Sequence, residues 1–195
     1  TTGKKLTGDM HTHLSDYNIN VKEHFKVVGI KKGTIKTIEL SSGEKIDTKT
    51  VIIATGARWR ELNVPGEKEN LGNGVAYCPH CDGPFFKDKE VAVVGGGNSG
   101  VEAALDLSGI VNKVSIIEFM PKLKADQILI DKVKQSDNIE IFTNTVTKEI
   151  IHPNGKVEGI LCEDRGKKID FEIKLSGVFV QIGLVPNSKF VDNIL

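Results

Sequence analysis

The sequence lacks any surplus of charge: lysine and arginine together number 26, aspartate and glutamate also 26, and the formal net charge at pH 7 is zero. No block of like charge interrupts that balance, so nothing electrostatic points to nucleic acid or an anionic membrane as a partner. Long apolar runs are missing too, and the longest falls far short of a bilayer span. The opening TTGKKLTGDM has no apolar stretch of the kind a secretory signal needs. Cysteine is scarce. There are three, two of them in one CxxC, a usage that fits a reducing compartment with a working thiol pair better than a secreted disulfide framework. The cytoplasm is the expected setting. An initiator methionine is absent and the chain opens inside a helical pattern, so these 195 residues are read as a piece of a longer protein, enough for one large domain or two small ones.

What is present is organised around Lys89 to Phe119. Val91 to Val94 is a run of small apolar residues suited to a strand buried on both faces of a parallel sheet. Glycine follows: Gly95, Gly97 and Gly100, with Gly96, Asn98 and Ser99 between them, fit GxGxxG, and Val101 to Leu107 continue with helical apolar spacing. In such a turn the first glycine makes the tight bend, the second lets backbone approach a pyrophosphate, and the third lets helix and strand pack closely. The helix N-terminus then presents free N–H groups and partial positive charge to an anion. A second apolar strand, Val114 to Ile117, ends at Glu118, about 20 residues on, where a carboxylate accepts hydrogen bonds from the adenosine ribose. A lone glycine fingerprint also closes ordinary strand-to-helix turns; the acid at this spacing favours a dinucleotide.

Glu118 also bears on which nucleotide. A 2'-phosphate beside it would cost on the order of 4 kcal/mol at about 4 Å and an effective dielectric of about 20. Phe119, Met120 and Pro121 carry no charge, and Lys122 and Lys124 come later in the loop, so NADH is expected over NADPH.

Before this stretch, Leu6, Met10, His13, Leu14 and Tyr17 lie on one face of an amphipathic helix. His11 and His13 point in different directions on it and make a poor metal site. Asn20 to Val28, Thr34 to Leu40 and Lys45 to Ile46 read as a β-meander with glycine turns. Thr50 to Ile53 reads as a buried strand ending at Thr55 and Gly56, a small-residue turn where backbone can pass a ligand. Arg58 to Gly66, with Pro65 beside Gly66, is a candidate linker. Beyond Phe119, a short helix from Asp126 to Lys134, with Asp126 as N-cap, leads to a strand at Ile139 to Phe142. Val146 to His152, Val157 to Cys162 and Lys168 to Ile173 form an antiparallel excursion. Gly177 to Ile182 returns to the parallel sheet and stops at Gly183, placing Ile182 and Gly183 by the nucleotide crevice. The fold class is therefore α/β: a Rossmann-like, three-layer domain with a β-meander excursion.

Cys78, Pro79, His80 and Cys81 form CPHC, followed by Asp82, Gly83 and Pro84. Cysteines three apart at the start of a helical turn bring their sulfurs together, and proline at the first helical position supports that geometry. A helix N-terminus and an imidazolium at His80 would both favour thiolate. Pro84 is expected to end the turn quickly and leave the pair exposed. A zinc site would need Cys162 or scattered histidines to complete it, two structural thiols are a second reading, and a reversible dithiol and disulfide is a third. Asp82 is either the acid and base for thiolate chemistry or a turn-former before glycine. Cys162 reads as an inert core thiol.

CPHCDGPFF, KEVAVVGGGNSGVEAALDLSGIV, SIIEFMPKLKADQIL and GVFVQIGLVPN together resemble the pyridine nucleotide-disulfide oxidoreductases of the low-molecular-weight thioredoxin reductase type, and within it the flavoprotein component of alkyl hydroperoxide reductases. Thioredoxin reductases of this type would show a basic run where Glu118, Phe119 and Met120 stand. The resemblance implies an electron route from NADH to FAD to the disulfide and on to a thioredoxin-like or glutaredoxin-like domain or a peroxiredoxin. It gives Cys81 the flavin-facing role, Cys78 the attack on the outgoing disulfide, and Asp82 the acid. It also implies a homodimer, and a nucleotide domain that rotates on hinges near Pro65 to Lys68 and Val185 to Asn187. The implied division is residues 1–66 as part of a second, incomplete Rossmann-like FAD domain that includes Thr55 and Gly56, 67–186 as the NAD domain, and 187–195 as a return to the first. The family's flavin-side GxGxxG and closing GD segment are missing, so this chain alone is expected to bind flavin weakly or not at all and to be inactive by itself. The competing readings are a thioredoxin reductase and a non-catalytic module that senses NADH with CPHC as its switch.

Overall fold

The computed structural model describes residues 2–192. Contacts divide the chain into two units, one comprising the chain up to Gly56 and from Asn187 onward, the other Ala57–Pro186. The stretch 58–66, expected as a linker, lies inside the second unit, and of the expected return segment 187–195, residues 193–195 lie outside the described residues.

In the first unit, helix α1 spans Gly3–Leu14, and the hydroxyl of its N-cap Thr2 accepts from the Lys5 amide at 3.2 Å. The expected apolar face is there but buries nothing; Met10 is 60 % exposed. Strands β1 (Val27–Lys31), β2 (Lys36–Leu40) and β3 (Lys45–Thr48) form the expected antiparallel meander in the order β1-β2-β3. The first strand begins later than the apolar pattern of Asn20 to Val28 suggested. The expected strand at Thr50 to Ile53 is not formed: an apolar run becomes a strand only with a ladder partner, none pairs with it among the described residues, and Ile52 is 92 % exposed. Thr55 and Gly56 are tied instead to Asn187, whose carbonyl accepts from the Thr55 hydroxyl at 2.8 Å and whose amide donates to the Gly56 carbonyl at 2.9 Å.

The second unit opens with β4 (Ala57–Trp59) and β5 (Val75–Ala76), and then α2 (Pro79–Asp82). Next come β6 (Glu90–Val94), α3 (Asn98–Ser108), β7 (Lys113–Ile117), α4 (Gln127–Lys134) and β8 (Ile139–Phe142). The antiparallel strands β9 (Thr145–Ile151), β10 (Gly159–Asp164) and β11 (Ile169–Lys174) follow, then β12 (Gly177–Val180) and β13 (Leu184–Pro186). Five strands make an all-parallel sheet in the order β5-β12-β6-β7-β8, with Val91 opposite Val114 and Val94 opposite Ile117.

The unbroken apolar run of β6 has a direct cause. Val91 and Val93 pack with Val101, Ala104 and Leu107 of α3, while Ala92 and Val94 pack on the opposite face with Ile150, Ile160 and Cys162 of the β9–β11 excursion. A strand between a helical layer and a second sheet has no solvent face on which to place polar residues. Each fully buried valine or leucine there contributes about 1.5–3 kcal/mol relative to exposure. The three layers position the turn between β6 and α3 at the carboxyl edge of the sheet, where ligands of open α/β sheets bind.

Candidate functional site

The glycine turn is built as its spacing implied. Gly95 has φ +122°, and a Cβ on it would strike the Gln181 carbonyl. A Cβ on Gly100 would strike the carbonyl oxygen of Gly95, so helix and turn pack backbone to backbone. Gly97 differs: it caps α3 with φ −82°, and a Cβ there would meet nothing within 4 Å. The second glycine faces open space where a ligand's atoms could lie against the main chain. No side chain caps the N-terminus of α3, and the first intrahelical bond from the turn runs from the Val101 amide to the Gly97 carbonyl at 3.0 Å. The amides before Val101 are the donors that a helix leaves without internal partners.

This N-terminus opens on a crevice of about 560 Å³ whose walls include Gly95–Ser99, Glu118, Phe119, Ile182 and Gly183. Of the ten residues expected for the nucleotide, nine line the crevice, and Gly100 lies buried beneath it. Glu118 does more than the sequence suggested. Its side chain is buried, and the two carboxylate oxygens accept from the Gly96 amide at 2.5 Å and the Met120 amide at 2.7 Å, so the acid fixes the glycine loop as well as facing the crevice. Lys124, placed later in the loop by the sequence, is brought back to the crevice wall because its amide bonds the Gly96 carbonyl at 2.8 Å. Arg165, 46 residues from Phe119, reaches that residue as well. Neither cation's place could be read from local spacing. Asp126 precedes α4 as expected but does not cap it with its side chain, which instead accepts from the Asn98 side chain at 3.1 Å.

Cys78 and Cys81 form a disulfide. Pro79 is the first residue of α2, and the Cys78 sulfur accepts from the Cys81 amide at 3.2 Å. Pro84 does not end the turn: a 3₁₀ turn continues from Gly83 to Phe86, because proline needs no amide partner in a first turn. Cys81 is exposed and Cys78 half-buried. His80 lies 3.5 Å from the Asp106 carboxylate in the last turn of α3, on an exposed surface where such a pair contributes little. Neither cysteine lines this crevice. Asp82 lines a separate recess of about 350 Å³ with Lys89, Lys156 and Ser176. Thr55 and Gly56 belong to the other unit.

Glu67 stands behind the residue that precedes the pair. Glu67, 1 % exposed and expected only as part of a charged linker, accepts from the amides of Leu62 at 2.8 Å and Asn63 at 2.7 Å and from the Tyr77 hydroxyl at 3.0 Å. Burial, helped by that carboxylate, pushes the Tyr77 phenol up to about 12. Burial likewise pushes the Cys162 thiol up to about 11, which disfavours its thiolate. No group of three or more metal-ligating side chains occurs among the described residues. No helix among them is long and apolar enough to cross a membrane.

Known proteins are similar to this chain in sequence and fold. An NADH dehydrogenase of Ferdinandcohnia aciditolerans is 49 % identical over 195 residues, covering 100 % of this chain and 37 % of its own length. An alkyl hydroperoxide reductase component from Pseudomonas putida is 46 % identical over 194 residues, covering 98 % of this chain and 37 % of its own. The crystal structure of Lactococcus lactis thioredoxin reductase superposes with a TM-score of 0.79 at 32 % identity, covering 100 % of this chain and 64 % of that one. The chain thus spans well under half of the first two relatives. The profile described as pyridine nucleotide-disulphide oxidoreductase matches residues 2–194, and the chain belongs to that family.

Proposed function

We propose that the protein containing this chain is an NADH-dependent disulfide reductase, in which electrons from the nicotinamide reach Cys78–Cys81 and leave for a thioredoxin-like or glutaredoxin-like domain or a peroxiredoxin. The observation that carries the nucleotide half is the uncapped N-terminus of α3 facing a crevice of about 560 Å³ with Gly97 open beneath it. Backbone N–H groups of Gly97, Asn98 and Ser99 bind the pyrophosphate, and Glu118 takes the adenosine ribose while it braces the loop. Lys124 stands on the same wall and offsets part of the repulsion that Glu118 directs at a 2'-phosphate. The preference for NADH then rests on the carboxylate's direct contact with the ribose.

The disulfide is outside the crevice, so a relay is needed between nicotinamide and sulfur. The flavin of this family supplies that two-electron relay when bound. Gly56, with φ +65° and nothing within 4 Å of a Cβ, and Thr55 leave backbone open to such a ligand but provide no pyrophosphate turn of their own. Reduction breaks the Cys78–Cys81 bond with two electrons. One sulfur leaves as thiolate and the other takes a proton, for which Asp82, next in sequence to the exposed Cys81, is the donor. The Cys78 thiolate then attacks the partner's disulfide, and Cys81 resolves the mixed disulfide, returning the pair to its oxidised state. In this reading the intact protein is a cytoplasmic homodimer.

The nucleotide choice is tested by titrating this chain with NADH and NADPH and following nicotinamide fluorescence. Tighter binding of NADH is expected, with Glu118→Gln reducing the ratio of the two dissociation constants. A preference for NADPH in the unmodified chain contradicts the assignment.

A further inference from the structure

The turn between β10 and β11 brings a guanidinium against Phe119, a residue of the crevice wall. The Arg165 guanidinium carbon lies 3.7 Å from the centroid of the Phe119 ring, and its Nη1 donates to the Phe119 carbonyl at 3.0 Å. The turn that carries it is itself fixed. The Asp164 carboxylate accepts from the amides of Gly166 at 2.9 Å and Lys167 at 3.0 Å, and the Arg165 amide donates to the Asn144 carbonyl at 2.9 Å. With Arg165 over its ring, Phe119 remains 50 % exposed and lines the crevice directly after Glu118. The residue is held by the cation over its ring and through its own carbonyl, and half of its surface stays accessible.

Resting on the nucleotide reading above, we infer that Arg165 is a positioning residue that fixes Phe119 as a platform on which the adenine ring stacks. A planar cation against an aromatic ring holds it in one orientation, so little ordering remains to be done when a base arrives. Sequence-tolerant stacking of this kind adds affinity for any nucleotide bearing adenine and does not distinguish a 2'-hydroxyl from a 2'-phosphate. Arg165 therefore strengthens adenosine binding through Phe119, while Glu118 retains the choice between the two coenzymes.

The test is a double-mutant cycle on this chain, read by calorimetric titration with ADP-ribose and with 2'-phospho-ADP-ribose. Arg165→Ala and Phe119→Ala are each expected to weaken ADP-ribose binding roughly tenfold. The double variant should bind no more weakly than Phe119→Ala alone, and Arg165→Ala should leave the ratio between the two ligands unchanged. Arg165→Gln, which keeps a donor for the Phe119 carbonyl but loses the cation, should behave as the alanine variant does. Melting temperatures close to the unmodified chain's are expected for the Arg165 variants, because the side chain is exposed. Additive losses, a changed ratio, or full affinity in Arg165→Ala or Arg165→Gln would overturn the role given to Arg165. Failure of the unmodified chain to bind either ligand would instead remove the nucleotide reading itself.

Discussion

Glu67 illustrates what a single residue does in this unit and why its role was hidden. In the sequence it belongs to EKEN after Pro65 and Gly66, a pattern that reads as a solvated linker. In the structure its carboxylate gathers three donors, two from the backbone of the preceding loop and one from Tyr77, the residue before Cys78. A charge this deep persists only when its lone pairs are used. Glu67→Ala should therefore cost on the order of 3 kcal/mol, since it removes the shared acceptor of three partly buried hydrogen bonds, and the urea midpoint of the chain measures it. The Tyr77 phenol is raised from 10.0 to about 12 in the folded chain. A group whose proton is held more tightly when folded adds stability below its unfolded value and loses it as the pH rises through the folded one. Stability should thus fall between about pH 10 and pH 12, and Tyr77→Phe should remove that component of the alkaline loss, as measured by denaturant unfolding at several pH values. By contrast, the place of Cys162 in the core was legible, because a lone cysteine on an apolar strand pattern has few other fates.

At the scale of elements, the β6–turn–α3 unit was legible almost residue for residue, because at Gly95 and Gly100 its requirements are backbone requirements that only glycine meets. Gly100→Ala should be strongly destabilising, on the order of 3 kcal/mol, since the new methyl meets the Gly95 carbonyl and no flexible side chain can yield. Gly97→Ala should leave the melting temperature nearly unchanged, since φ is −82° and the space is open, yet weaken ADP-ribose by about tenfold or more where the methyl intrudes on the ligand. Equal nucleotide affinity in Gly97→Ala would mean that no ligand approaches the backbone there. The strand at Thr50 to Ile53 failed for the opposite reason: a strand is a property of pairs, and an apolar run does not reveal whether a partner exists. Lys124 on the crevice wall and Arg165 against Phe119 were missed because loop closure between distant elements, which no local spacing encodes, brings them there.

At the scale of the molecule, one unit contains both the crevice at the glycine turn and the disulfide, with the disulfide outside the crevice. The chain enters and leaves that unit along one antiparallel pair, β4 with β13, in which Trp59 faces Leu184 and Ala57 faces Pro186. The division falls just outside this pair, at Gly56 and Asn187, and not in the proline-glycine stretch, because Glu67 ties that stretch down. The most direct measurement takes the intact protein that contains this chain, supplied with FAD, adds one equivalent of NADH without oxygen, alkylates, and counts modified cysteines by mass spectrometry. Alkylation of both Cys78 and Cys81, abolished by Glu118→Arg and absent without NADH, is the result predicted. A disulfide that stays closed after the NADH has been consumed would contradict the account.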